Sequence, residues 1–381
     1  MFYDYVIMKN KILILILGLL VLFISSCSED NKSGFTALQE SHIAAAMDTV
    51  MNTYNVPAAI VGVWEEGKDP FILPKGVADQ ETGRLLQATD HFRIASITKT
   101  FTGTVMLQLI EEGKISFEAT LENYFPNITN ASQITIRQVL AMTAGIYDFV
   151  NSEGFNVPYY NDITKVWTKE EILDLVHGQP ADFAPNTSCK YSNTNYYLLG
   201  IIIEQVTSNT AEDEIKTRIF DRLGLSNTSF PTDTSMPAPY CHGYASVETG
   251  GEGTLNDVSI QSPSAPWTSG GIISNIYDLK IWVEALYHGT LLSAETQAER
   301  FDWNVLEDTG GKIKYGLGVI NLLGLIGHNG EIEGYNTDMY YLPSKKAAII
   351  CMTNNASAQY GHTLKLTRQV IDILYPGAVS W

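Results

Sequence analysis

Basic residues are scarce in this sequence: 24 Lys and Arg stand against 42 Asp and Glu, a net charge of −18 over 381 residues. Gripping a phosphate backbone takes Lys and Arg clustered on one surface, and no such run exists, which argues against nucleic-acid binding. Cysteine is sparse as well. The four cysteines never fall at C-x-x-C spacing, so neither a zinc ribbon nor a dithiol motif is indicated. Also missing are a G-x-S-x-G nucleophile elbow and, among seven His, an H-E-x-x-H zinc helix. Gly62-x4-Gly67-Lys68 mimics a phosphate loop, but no Ser or Thr follows the Lys and the string lies on an expected hairpin. No metal or organic cofactor is therefore indicated. Repeats and low-complexity tracts are absent too.

The chain also lacks an apolar run long enough to span a bilayer. Its longest, Ile12 to Ile24, has 13 residues, where a span needs roughly 18–20. That run follows Lys9 and Lys11 and ends at Ile24-Ser25-Ser26-Cys27. A basic start, a short apolar middle and small residues before a cut are signal-peptide features. The placement of Cys27 looks like a bacterial lipobox, whose Cys is acylated after cleavage. Residues 1–26 are thus expected to be a lipoprotein signal peptide and residues 27–35 a polar tether. The protein is expected to be exported and held in the bacterial cell envelope by a lipid anchor at Cys27. An ordinary secretory signal and an uncleaved anchor are the alternatives. Of the remaining cysteines, Cys189, Cys241 and Cys351, an oxidising compartment permits one disulfide, with the pair left open.

Hydrophobic residues make up 45% and charged residues 17%, ordinary for a chain able to bury a large core. Thr36 to Tyr54 reads as a helix, Ala58–Trp64 and Phe71–Val77 as strands of a hairpin, and Thr98–Glu112 as a helix stopped by Gly113. From about 115 to 300 helical segments dominate: Ile136–Met142, Lys169–Val176, Tyr196–Val206 and Leu279–Leu286. Strand character returns at Tyr315–Leu322, Tyr335–Leu342 and Ala347–Thr353, before a last helix carrying Leu366, Val370 and Ile373. Strands at both ends with helices between imply an α/β (α+β) fold. One antiparallel sheet is built from about 36–95 and 301–381, flanked by helices, with a helical region inserted over about 96–300. Residues 36–381 then form the folded domain.

Chemistry centres on Ser96-Ile97-Thr98-Lys99. With 25 Ser and 17 Lys, about one S-x-x-K arises by chance, so the motif alone is weak. Its position adds weight. Ser96 sits where Phe92–Ala95 gives way to a helix, and three-residue spacing puts Lys99 on the same face. A buried Lys loses proton affinity by desolvation and, once neutral, can take the serine proton. Further along lie Tyr191-Ser192-Asn193, leading into the apolar helix, and Gly327-His328-Asn329-Gly330, which precedes an expected strand.

The order S-x-x-K, Y-x-N, then a basic residue-x-Gly resembles the penicillin-recognising serine hydrolases, the family of serine DD-peptidases and class C β-lactamases. Phe92–Lys99 is similar to that family's lead into its nucleophile helix. Thr135–Ile146 resembles its "IRxLLxHTSGI" block, and Ser269-Gly270-Gly271-Ile272 with Asp278, Leu279 and Trp282 its "SAGGL…DLxxW" block. The similarity covers roughly residues 40–375. It implies a β-lactamase/transpeptidase-like fold in which Ser96 forms an acyl-enzyme and Lys99 takes or relays its proton. Tyr191 is implied as the partner base, its phenol lowered by the nearby Lys99 charge. Asn193 would donate to Lys99 and to the substrate amide, and otherwise reads as a helix N-cap. His328 would face Lys99 across the cleft, supplying a proton or a positive field. Backbone N–H groups of Ser96 and Glu331 would hold the oxyanion, with Asn329 and Gly330 lining the same edge.

Three departures bear on substrate. His-Asn-Gly stands where the family has Lys-Thr-Gly or His-Thr-Gly, Asn186 replaces the usual Gly, and Cys189 a common aromatic. No Arg occurs between Phe301 and His328, only Lys312 and Lys314, which weakens recognition of a free carboxylate. The resemblance implies a small peptide, β-lactam or ester substrate, with acyl hydrolysis of D-amino-acid peptides or β-lactams leading. Hydrolysis of small acyl esters by the same residues and a non-catalytic peptidoglycan- or partner-binding lipoprotein are the alternatives.

Overall fold

The computed structural model describes residues 34–246, 255–356 and 361–381; the expected signal peptide, Cys27 and nearly all of the tether lie outside these. Thirteen strands occur among the described residues: Ala58–Glu65 (β1), Phe71–Asp79 (β2), Arg84–Leu85 (β3), Phe92–Arg93 (β4), Tyr244–Ser246 (β5), Leu255–Asp257 (β6), Ile273–Ser274 (β7), Asn304–Val305 (β8), Ile313–Tyr315 (β9), Ile320–Leu322 (β10), Leu325–Ile332 (β11), Tyr335–Leu342 (β12) and Ala347–Thr353 (β13). Nine form one sheet in the order β3-β2-β1-β13-β12-β11-β10-β9-β8, and every pairing is antiparallel.

The two ends of the chain meet in the middle of this sheet. Strand β1 runs against β13, from Ala59 opposite Thr353 to Glu65 opposite Ala347. Both are nearly continuous apolar runs, AAIVGVWE and AAIICMT. Alternation is lost because the sheet is covered on both faces. On β12, Asp338 receives the Thr367 hydroxyl of helix His362–Leu374, while Tyr341 stacks on Tyr287 of helix Ile276–His288 at 4.4 Å. Side chains of opposite parity leave a strand on opposite faces, so the two helices sandwich the sheet.

Helix Thr98–Glu111 is buried on all sides from Thr98 to Gln108 and on to Leu109, unusual for a stretch with four threonines. Three of the hydroxyls donate to carbonyls, Thr100 to Ile97 O at 2.6 Å, Thr104 to Thr100 O at 2.7 Å and Thr102 to Thr268 O at 2.7 Å, and the Thr98 hydroxyl accepts from Ile272 N–H at 3.1 Å. A buried hydroxyl so paired carries little desolvation cost. Phe101 stacks on Trp282 at 4.2 Å, whose indole N–H reaches Thr100 Oγ1 at 2.7 Å. This helix is therefore the rigid post on which Ser96 and Lys99 stand.

Two expected elements differ. Tyr315–Leu322 is not one strand but the hairpin β9–β10. Gly318 takes φ +79°, and a side chain at Gly316 would meet Arg300 O at 2.3 Å, so the segment turns back before it can extend. Gly327–Gly330 does not precede a strand; it lies within β11. Cys189, Cys241 and Cys351 are all free and buried, so the disulfide allowed by the sequence is not formed.

Candidate active site

Strand β4 brings the chain to Ser96. It pairs with β7, Phe92 opposite Ser274 and Arg93 opposite Ile273, and Ile94 N–H bonds Ile272 O at 3.0 Å. At Ala95 the backbone turns through φ +47° into a single 3-10 turn, Ala95–Ile97, which runs into helix Thr98–Glu111. Across from this turn runs β11. A side chain at Gly330 would meet Ile94 O at 2.1 Å and Ser96 N at 3.1 Å. Only glycine lets the strand backbone come this close to the nucleophile's own N–H.

Lys99 is fully buried. Its Nζ donates to Ser96 Oγ at 3.1 Å, Asn193 Oδ1 at 2.8 Å and Ser269 O at 2.8 Å. Burial pushes the amine down to about 7, partly opposed by the Asp148 carboxylate. Desolvation disfavours the ammonium, so a substantial neutral fraction exists near neutral pH. The S-x-x-K spacing thus becomes a contact between a hydroxyl and an amine able to deprotonate it.

Helix Asn193–Thr207 begins at Asn193 itself, with Ser192 as its N-cap residue, so Asn193 is not the cap. Its amide accepts from Lys99 rather than donating to it. The donating side is occupied: Asn193 N and Nδ2 each bond Asp148 Oδ2 at 3.0 Å. The preceding loop turns at Asn186, whose φ of +63° is the left-handed geometry that Asn tolerates in place of Gly. Tyr191 stands beside Lys99, with Nζ 4.8 Å from the ring centroid. The Tyr191 hydroxyl is buried and makes no hydrogen bond of normal geometry. Burial pushes this phenol well up, and the Ser96 hydroxyl opposes that push only in part. The expected lowering by Lys99 is overturned: desolvation dominates, the Asp148 charge adds to it, and the phenol stays protonated.

His328 is buried as well. Its Nδ1 is 2.5 Å from Asn329 O and its Nε2 is 3.3 Å from the Tyr315 hydroxyl, while its ring packs against Tyr191 at 6.1 Å. Burial, then the charge on Lys99, push the imidazole down to about 3. The neutral ring supplies no positive field, contrary to the sequence expectation; it braces Tyr191 and Tyr315 instead. Asn329 is exposed on β11, and Glu331 is half-buried on the same strand, its carboxylate accepting from Asn336 Nδ2 at 2.7 Å. Burial, helped by Glu333, raises Glu331 to about 7.

Ser96, Lys99, Tyr191, Asn193 and the His328–Glu331 strand are thus brought together from three stretches of chain. Three further groups escaped the sequence: the Ser269 carbonyl, Tyr315 and Asp148. A carbonyl carries no signature in sequence. Asp148 does: it is the one acidic residue in the apolar string Ile146-Tyr147-Asp148-Phe149-Val150, directly after the Thr135–Ile146 block.

Comparison with known proteins extends this picture. A family model described as beta-lactamase matches residues 43–370. Penicillin-binding protein 4* of Bacillus subtilis is 27% identical over 301 residues, 75% of this chain; the chain spans 65% of that protein's length. Among solved structures, a D-stereospecific amidohydrolase from Streptomyces sp. superposes with a TM-score of 0.77 at 26% identity, over 88% of this chain and 98% of that one. The D-amino acid amidase from Ochrobactrum anthropi SV3 gives 0.79 at 23% identity, over 89% and 99%, a likeness of fold.

Proposed function

The chain belongs to the beta-lactamase family, and from that premise we propose that it is a serine acyl hydrolase acting on amides of D-amino acids. The observation that carries this is the buried Lys99 amine, 3.1 Å from Ser96 Oγ and lowered to about 7. Neutral Lys99 takes the Ser96 proton as Oγ attacks the carbonyl carbon. The resulting ammonium is held by Asn193 Oδ1 and Ser269 O. The N–H groups of Ser96 and Glu331 receive the developing oxyanion, each such donor being worth about 2.7–4 kcal/mol of barrier. Tyr191, kept protonated by burial, passes its proton to the leaving nitrogen and is reprotonated from Lys99. The C–N bond breaks and the acyl group stays on Ser96. Water then attacks this ester, giving its proton back through the same pair and releasing Ser96.

Substrate choice follows from the strand that lines the reaction. A β-lactam or a peptide with a free carboxyl terminus needs a cation there, and this strand offers neutral His328, Asn329 and the acid Glu331. D-Amino-acid amides need no such partner, and the two solved relatives named above are an amidohydrolase and an amidase on D-stereoisomers. Activated esters should be cleaved by the same residues. We further propose that Cys27 is lipidated and tethers the domain in the envelope, which rests on the signal sequence alone.

The test compares a D-amino-acid amide, a D-alanyl-D-alanine peptide, a chromogenic cephalosporin and a nitrophenyl ester on wild type and Ser96→Ala. Turnover of ester and amide ahead of cephalosporin, lost in Ser96→Ala, is expected. A cephalosporin cleaved faster than every amide would overturn the substrate assignment, and an active Ser96→Ala the nucleophile.

A further inference from the structure

Asp148 lies one residue beyond any direct contact with Ser96 or Lys99, buried, with a single carboxylate oxygen accepting both the backbone and side-chain N–H groups of Asn193 at 3.0 Å. A carboxylate can only accept, whereas an amide has one accepting and one donating end. Two donors of one residue on one oxygen fix which way that amide points. The Asn193 nitrogen must face Asp148, so Oδ1 must face Lys99, as the 2.8 Å contact requires. The amide becomes a bridge with the ammonium at one end and the carboxylate at the other.

We propose that Asp148 is the positioning residue of the site: it locks the Asn193 amide toward Lys99 and, through that bridge, acts as the counter-charge that biases Lys99 toward its protonated form. The proposal rests on the acyl-hydrolase reading above. Asp148 touches no reacting atom; it acts on Lys99 through Asn193. Burial alone would leave Lys99 a weaker base than it is, because the proton it takes from Ser96 would have no compensating charge. With Asp148 present, the amine is neutral often enough to start the reaction and basic enough to finish the transfer.

Burial raises the Asp148 carboxyl above its usual range, opposed by the Asn193 donors and the Lys99 charge that keep its carboxylate form in place; the other ionisable groups around the pair do not share its role. Tyr191, beside Lys99, is pushed up and stays protonated; His328 of β11 is pushed down and stays neutral. Lys190 lies close enough to Asp148 to feel its charge, but its ion pair with Asp182 at 2.7 Å raises it, so it stays charged. Glu331 of β11 does titrate near 7 and needs a control. Asp338, also raised to about 7, is turned toward Thr367 behind the sheet.

The experiment is the rate of inactivation by a fluorophosphonate across pH 5–9, with labelling located by peptide mass spectrometry. In that step the Ser96 Oγ–P bond forms, the P–F bond breaks, and the serine proton passes to Lys99. Wild type should show an acid limb near 7. Asp148→Asn removes a charge that raises Lys99, so the limb should fall by about one pH unit, as expected for an opposite charge a few ångströms away. Glu331→Gln, which keeps the backbone N–H, should retain the limb. Asp148→Glu, which keeps the charge, should stay near wild type, and Asn193→Ala, which cuts the bridge, should move with Asp148→Asn; these carry the test if Asp148→Asn does not fold. A limb unmoved in Asp148→Asn or Asn193→Ala, or one abolished by Glu331→Gln, overturns the role of Asp148. Wild type left unlabelled at Ser96 would instead overturn the hydrolase reading itself.

Discussion

Replacing Gly330 with Ala exchanges one hydrogen for a methyl group, yet it should disable the enzyme. The new Cβ would sit 2.1 Å from Ile94 O and 3.1 Å from both Ile94 C and Ser96 N. Non-bonded carbon and oxygen do not approach closer than about 3 Å, so β11 and the nucleophile turn must part by about 1 Å. Neither side yields easily: β11 is paired along Ile326–Ile332 with β12, and the turn is pinned by Ile94 N–H on Ile272 O. The two N–H groups proposed to hold the oxyanion sit on opposite sides of this seam, so parting it separates them. Loss of one such donor costs about 2.7–4 kcal/mol, or roughly 10²–10³ in kcat. The clash itself should cost about 1–3 kcal/mol of stability. The assay is kcat on a nitrophenyl ester, with thermal unfolding to establish that the variant is folded. A folded Gly330→Ala enzyme with wild-type kcat would show that the seam plays no part in the chemistry.

Tyr191→Phe should cut kcat by about 10²–10⁴, the usual loss for an acid–base group. Because its hydroxyl makes no hydrogen bond of normal geometry, the same change should leave Tm unchanged or slightly raised; a large fall in Tm would mean that the hydroxyl is structural. Wild-type kcat/KM should rise with pH through about 7, since Lys99 must lose its proton to act and burial has brought it down to that value; a profile flat from pH 5 to 9 would remove Lys99 as the base. Globomycin should block maturation and wild type should remain with membranes, whereas Cys27→Ser should not; a freely secreted wild type would refute lipidation.

Much of the fold was legible because the strands at both ends are long apolar runs bounded by Gly and Pro. Tyr335–Leu342 and Ala347–Thr353 match the structure residue for residue. The β9–β10 hairpin was not legible: the positive φ of Gly318 and the close approach of Gly316 to Arg300 depend on tertiary neighbours. The strand identity of Gly327–Gly330 was missed for a related reason, since two glycines argue against a strand unless another backbone approaches closely, which is what the nucleophile turn does.

In the site, residue spacing points to Ser96 and Lys99 and the family resemblance to Tyr191 and Asn193, but charge states are beyond both. The sequence implies a lowered phenol at Tyr191 and a proton or positive field at His328, because it shows neighbours in the motif order and not burial. Burial dominates both. Asp148 illustrates the complementary limit: its value lies in a contact with Asn193 across 45 positions, which no local pattern encodes.

The most direct test is to quench the protein during turnover of an activated D-alanyl ester and map the bound acyl group by peptide mass spectrometry. The acyl group is expected on the peptide containing Ser96 in wild type and on no peptide in Ser96→Ala. An adduct on another residue, or turnover persisting in Ser96→Ala, would contradict the assignment of Ser96 and Lys99 as the reacting pair.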